Sequence, residues 1–171
     1  MLGLFSACSE SDDSESTFFE RKVINNPMKD FTGLMKPVND TKSYETIDSF
    51  FKSALPFEKL SDCFFVNSDN DECHVIDSYE DLNSIYSGDV KLPEFDFDHY
   101  MLIIGQKIMP DINNVILRQE LFFNEDGYCQ LNIYIPLREG GYTRIQNMYY
   151  WALYPKFVVK NINVKIIKEE V

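Results

Sequence analysis

Positive charge is scarce in this 171-residue sequence: 16 Lys and Arg stand against 28 Asp and Glu, a formal net charge of −12. Nucleic-acid backbones and anionic membrane surfaces both require clustered cations, and no basic stripe is evident, so neither is an expected partner. Histidine is nearly absent, with only His74 and His99. No G-x-S-x-G elbow, no H-E-x-x-H helix and no phosphate-cradling glycine loop occurs, and 28 scattered acidic residues single out no glycosidase pair. Cys63, Cys73 and His74 lack zinc-ligand spacing. The Asp69, Asp71 and Glu80 run puts Cys73 and His74 where a calcium loop requires an oxygen ligand and a glycine. Neither a metal nor a cofactor is therefore expected, and no catalytic residue is assigned. No stretch approaches the roughly 18 consecutive apolar residues of a membrane-spanning helix.

What is present begins at the front. Leu4-Phe5-Ser6-Ala7-Cys8 is an apolar stretch closed by small residues and a cysteine, and the acidic tract Ser9-Glu10-Ser11-Asp12-Asp13-Ser14-Glu15-Ser16 follows at once. This pattern resembles the end of a bacterial lipoprotein signal peptide, with Cys8 as the lipid-bearing residue. Residues 1–8 are expected to be a truncated lipoprotein signal segment, 9–30 a disordered acidic tether, and 31–171 a single α+β domain. The membrane would then be reached through a lipid anchor only.

The domain has ample material for a core, with 14 Phe and 10 Tyr. After a loop over 31–42, Ile47, Phe50, Phe51 and Leu55 recur at helical spacing until Pro56. Cys63–Val66 and Cys73–Ile76 suit a short hairpin. A second helix follows, capped by Asp77 or Ser78, with Leu82, Ile85 and Tyr86 on its apolar face and Gly88 at its end. Strands then dominate. Tyr100–Ile108 is apolar on both faces, as in a central strand. Val115–Phe123 and Tyr128–Leu137 flank Asp126-Gly127, whose positive-φ tolerance suits a type I′ hairpin. Tyr142–Tyr154 and Ile162–Ile166 complete the set. The expected fold is a mostly antiparallel twisted sheet of about five strands with two helices packed on one face.

Three groups of residues carry the functional expectations. Cys63 and Cys73 are disulfide candidates, a bridge worth about 2–3 kcal/mol by loop-closure entropy. Cys129, in phase with Leu131, Ile133 and Ile135, is expected to be a buried small hydrophobe. The aromatic run of Tyr142, Tyr149, Tyr150, Trp151 and Tyr154 places alternate rings on two faces, one of which would be free for contact with a protein or a sugar. Arg138 and Arg144, flanking Gly140-Gly141, can fork onto a carboxylate.

Through Phe95-Asp96-Phe97-Asp98 leading into Met101-Leu102-Ile103-Ile104-Gly105, then Gly140-Gly141-Tyr142, then Val164-Lys165-Ile166-Ile167, the C-terminal half of the chain resembles Bacteroidetes lipoproteins of uncharacterised function, some of which look distantly like a lipoprotein subunit that stabilises a surface protease. The resemblance implies an outer-membrane lipoprotein of a Gram-negative envelope, facing the periplasm or the cell surface. The leading expectation is a protein-binding or assembly module without catalysis that contacts an envelope protein through an exposed sheet edge or the Tyr142–Tyr154 surface. A carbohydrate-binding lipoprotein using the same aromatics on a surface glycan is the alternative. A hydrolase assembled from scattered residues is the weaker third.

Overall fold

A computed structural model describes residues 30–54, 59–64, 70–110, 115–137 and 145–170. Cys8, Arg138, Tyr142, Arg144 and the segments expected as leader and tether lie outside the described residues, apart from Asp30.

The strands form two sheets rather than one. Strands β1 (Gly33–Met35), β4 (Arg118–Phe123), β5 (Tyr128–Pro136) and β7 (Asn161–Glu169) make a four-stranded sheet in the order β1-β4-β5-β7. Strands β2 (Glu72–Ile76), β3 (Tyr100–Met109) and β6 (Gln146–Pro155) make a three-stranded sheet in the order β2-β3-β6. Helices α1 (Lys42–Ser49), α2 (Leu60–Phe64) and α3 (Tyr79–Ile85) accompany the smaller sheet. The architecture is thus mixed and mostly sheet, with seven strands and three helices among the described residues.

The division follows from side-chain alternation. Along β3, Met101 and Ile103 face the four-stranded sheet, where they pack with Leu121, Cys129, Leu131, Ile133, Ile135, Tyr150 and Tyr154. Leu102 and Ile104 face the other way and pack with Ile47, Phe50, Phe51, Leu60, Phe64, Leu82 and Leu153. A strand apolar on both faces separates two cores, and each core needs its own cover. Helices cover one, and a second sheet covers the other. Cys129 is fully buried in phase with its aliphatic neighbours, as expected.

All strand pairs are antiparallel except β5–β7, which is parallel. The chain leaves β5, crosses the other sheet as β6, and returns to run beside β5 in the same direction. Parallel pairing requires such a crossover.

Local chemistry explains the ends of the elements. Thr41 and Ser78 accept hydrogen bonds from the amides of Tyr44 and Asp81, each at 3.1 Å, and so cap α1 and α3. Helix α1 runs on into a π-helical turn, Phe50–Ala54. The wider turn brings successive side chains closer in direction, and Phe50 and Phe51 are both buried. Helix α3 stops at Ile85, before Gly88, because Tyr86 is already extended.

Three further expectations are corrected. The 31–42 segment contains a strand, β1, beside β4. The Cys63–Val66 hairpin is not formed: Cys63 and Phe64 end a helix, and β2 pairs with β3. Coiling 60–64 sends Leu60 and Phe64, one turn apart, into the same core. The β4–β5 turn is a three-residue loop rather than a two-residue type I′ turn. The Gly127 amide donates to the Asn124 carbonyl and the Asn124 amide to the Tyr128 carbonyl, each at 3.1 Å, with Gly127 at φ 83°.

A Cβ on Gly127 would be strained by that φ and would lie 2.8 Å from the Val158 carbonyl oxygen. Gly127→Ala is expected to lower stability by about 1–2 kcal/mol, read as a lower urea midpoint with an unchanged slope.

Candidate functional site

The two sheets leave one side of the sandwich open. β2 and β7 are each the last strand of their sheet, and between them lies a cleft of about 320 Å³. It is lined by Asp71–Cys73, by Gln106 and Lys107 of β3, by Tyr150 of β6 and by Ile162–Val164 of β7. On the opposite side a second cleft of about 410 Å³ lies against Lys36, Pro37, Asn39 and Leu117–Glu120, and polar groups from there reach β6. The Val38 amide donates to the Leu153 carbonyl at 2.7 Å, and the Gln119 side-chain amide to the Trp151 carbonyl at 2.9 Å, both on the outer edge of β6.

One row across the smaller sheet builds the cleft floor. Cys73, Gly105 and Tyr150 stand opposite one another on β2, β3 and β6. A Cβ on Gly105 would lie 2.1 Å from the Tyr150 hydroxyl oxygen. The missing side chain lets the Tyr150 ring lie across β3, filling the gap and stiffening the strand. Its hydroxyl reaches β2, where it donates to the Glu72 carbonyl at 3.3 Å and meets the Cys73 thiol. Beside this row Lys107 pairs with Asp71, whose other oxygen accepts from the Ile108 amide at 2.8 Å. Gln106, 1% exposed, points to the helix side and donates to the Asn70 carbonyl at 2.8 Å.

The electrostatics favour neutral groups on the floor. Burial pushes the Cys73 thiol up to about 11, against the opposing pull of the Tyr150 hydrogen bond. Burial and the neighbouring Cys73 push Tyr150 far above the ordinary phenol value. Partial burial opposes ionisation of Asp71, but the Lys107 ammonium and the Ile108 amide outweigh it and hold the carboxyl below its usual range. At neutral pH the cleft therefore presents a thiol, a phenol and a satisfied ion pair beside Ile162 and Val164. It offers hydrogen bonds and apolar contact rather than an ionised nucleophile.

β7 itself is held from one side. On the outer face of the larger sheet the Arg118 guanidinium forks onto Glu169 with bonds of 2.5 and 2.6 Å and lies 3.6 Å over the Tyr134 ring. The Tyr134 hydroxyl donates to Glu120 at 2.8 Å. This network ties β4, β5 and β7 together, and among the described residues no strand pairs with the outer edge of β7.

The aromatic expectation is corrected. Tyr149 and Trp151 do share one face of β6, and Tyr150 and Tyr154 the other, but neither face is a free platform. Tyr150 and Tyr154 are 2% and 0% exposed within the sandwich core. Trp151 stacks on Phe51 at 4.9 Å and meets Tyr44 at 5.8 Å, and Tyr149 packs against the same helical core. The strand expected from Tyr142 begins, among the described residues, at Gln146. Of the segment holding Arg138, Tyr142 and Arg144, only the flanks are described: Leu137 and Ile145 are both exposed, Ile145 at 71%. Cys63 and Cys73 are free thiols rather than a disulfide. Of the calcium-like run, Asp71 faces Lys107, and Asp69 lies outside the described residues. The sequence held a signal for the cleft that was missed, namely a glycine inside an apolar central strand, which marks a close approach.

Two hydroxyls on one strand give opposite expectations. The Tyr154 hydroxyl is buried without a hydrogen-bond partner, so Tyr154→Phe should raise stability by up to about 1 kcal/mol. Tyr150→Phe removes a bonded hydroxyl and should lower stability by about 1 kcal/mol. Paired urea titrations check both, and equal shifts would contradict the assignment. Acid titration tests Asp71. With its folded pKa below the unfolded 3.8, its contribution is present above that value and is lost as the pH falls through the folded one. Asp71→Asn should therefore flatten the loss of stability below about pH 4.

Comparison of the chain with protein-family models, with curated proteins and with solved structures finds no match.

Proposed function

We propose that this chain is a lipid-anchored extracytoplasmic module that binds another protein through the free edge of β7 and carries out no catalysis. The observation that carries the reading is the edge itself. β7 ends its sheet with an unpaired outer side among the described residues, and it borders a cleft with a neutral thiol and phenol on its floor, a mutually satisfied Asp71–Lys107 pair and the apolar Ile162 and Val164. An exposed row of backbone donors and acceptors is a ready template for another strand.

Two further features support tethered binding. Leu4–Cys8 and the acidic tract after it have the form of a lipoprotein leader and tether, which supports a position on the outer membrane, facing the periplasm or the cell surface. No described helix is long and apolar enough to cross a membrane. The chain joins the described body beside Phe122 and Phe123, where the Thr32 amide donates to the Phe123 carbonyl at 2.9 Å. That is the turn end of the larger sheet. β4 starts, and β5 and β7 finish, at the other end, where Leu117 and Leu137 are exposed. An anchor at Cys8 thus leaves that apolar end away from the attachment point, and β7 runs toward that apolar end from the turn end beside Gly127. The glycan alternative loses support, because it required one face of β6, either Tyr149 and Trp151 or Tyr150 and Tyr154, to be free, and both are covered.

Mass spectrometry of the mature N-terminus from envelopes should show lipid on Cys8. A photo-crosslinking residue at Asn163, exposed on β7, should capture a discrete envelope protein, whereas the same residue at the exposed turn position Glu125 should not. An unmodified Cys8 would defeat the anchor, and equal capture at both positions would defeat the edge.

A further inference from the structure

The chemistry of the partner follows from what the edge of β7 presents, and this step rests on the edge-binding reading above. Ile162, Val164 and Ile166 point into the sandwich core and stay partly exposed. Asn163 and Lys165 point outward and are exposed. A strand added to this edge inherits the same alternation. Its inward side chains enter the gap between β7 and β2, where they meet Ile162, Val164 and the Cys73–Tyr150 floor. Aliphatic side chains suit that gap, because burying a charge there would lack a partner: Asp71 and Lys107 already satisfy each other.

Its outward side chains lie beside a local excess of positive charge. Lys165 stands outward in the middle of β7 and Lys160 immediately precedes the strand, both exposed. The negative charge of Glu169 is engaged by Arg118. In a chain of net charge −12, this edge is a place where an acidic segment meets attraction instead of repulsion. We propose that β7 receives an extended acidic segment with aliphatic residues at alternate positions. It would add as a fifth strand to the larger sheet, with its aliphatic side chains in the β2–β7 cleft and its carboxylates beside Lys165.

Three synthetic nine-residue peptides test this against the full chain by calorimetry and by methyl and amide NMR: alternating Glu/Val, alternating Lys/Val, and the Glu/Val peptide N-methylated at alternate amides. The Glu/Val peptide should bind at least tenfold more tightly than either of the others. It should shift the Ile162 and Val164 methyls while leaving Leu102 and Ile104, on the helix side of β3, in place. Lys165→Glu should remove the preference for Glu/Val over Lys/Val, and Lys160→Glu should weaken it. Equal binding of Glu/Val and Lys/Val, with loss on N-methylation, overturns the acidic partner and leaves the edge reading standing. No binding of any peptide overturns the inference, and discrete capture at Asn163 alone would then preserve the edge. Self-association of the chain through β7, in competition with the peptide, would make a second copy the occupant and overturn the acidic-segment assignment.

Discussion

Burial of β3 on both faces is the constraint from which the rest of the molecule follows. Met101 and Ile103 on one face and Leu102 and Ile104 on the other are essentially inaccessible, each worth about 1.5–3 kcal/mol relative to exposure. A strand that demands cover on two faces cannot end as one sheet with helices on one side. The helices take Leu102 and Ile104, and β4, β5 and β7 supply the second cover. The crossover that builds that cover leaves β7 parallel to β5 and at the end of its sheet.

The same arrangement produces an asymmetry between the two sides of the sandwich. Beside β6 the gap is bridged by polar groups that reach its outer edge, the Val38 amide and the Gln119 side chain. Beside β2 it is filled only as far as Tyr150 reaches, across a glycine that yields it the space. The cleft is thus the remainder of a packing problem in which a three-stranded sheet faces a four-stranded one. Its floor is neutral because burial disfavours both ionised forms, the Cys73 thiolate and the Tyr150 phenolate.

Local periodicity was readable, and long-range cover was not. Strand phases came directly from alternation: Leu131, Ile133 and Ile135 inward, Tyr150 and Tyr154 opposed to Tyr149 and Trp151. The number of sheets did not, because an inward-facing residue looks the same whether a helix or a strand covers it. This is why the aromatic run of β6 passed for a surface: its two faces were assigned correctly, and both were covered. The Cys63 hairpin failed for a related reason. Five residues, Leu60–Phe64, are too few for periodicity to separate helix from strand, and the decision fell to Leu60 and Phe64 reaching one core. At the site, the Asp71–Lys107 and Arg118–Glu169 pairs join residues 36 and 51 positions apart, a separation at which sequence spacing carries no signal.

The lysines of β7 bear on both stability and recognition. Lysines along an edge strand are a common protection against indiscriminate pairing, since each incoming chain must tolerate the charge. Protection by charge is selective by sign. It turns away neutral apolar edges and cationic strands, and it turns away a second β7, which would bring lysines near lysines. It does not turn away an acidic strand, for which the same side chains lower the cost of approach. In a chain this acidic, a partner of the same sign would be repelled elsewhere on the surface, so Lys165 on the edge would favour its pairing at this strand. The edge is therefore guarded against its commonest hazards by the groups that would admit a specific partner, and the cleft beneath it sets which side chains that partner must carry.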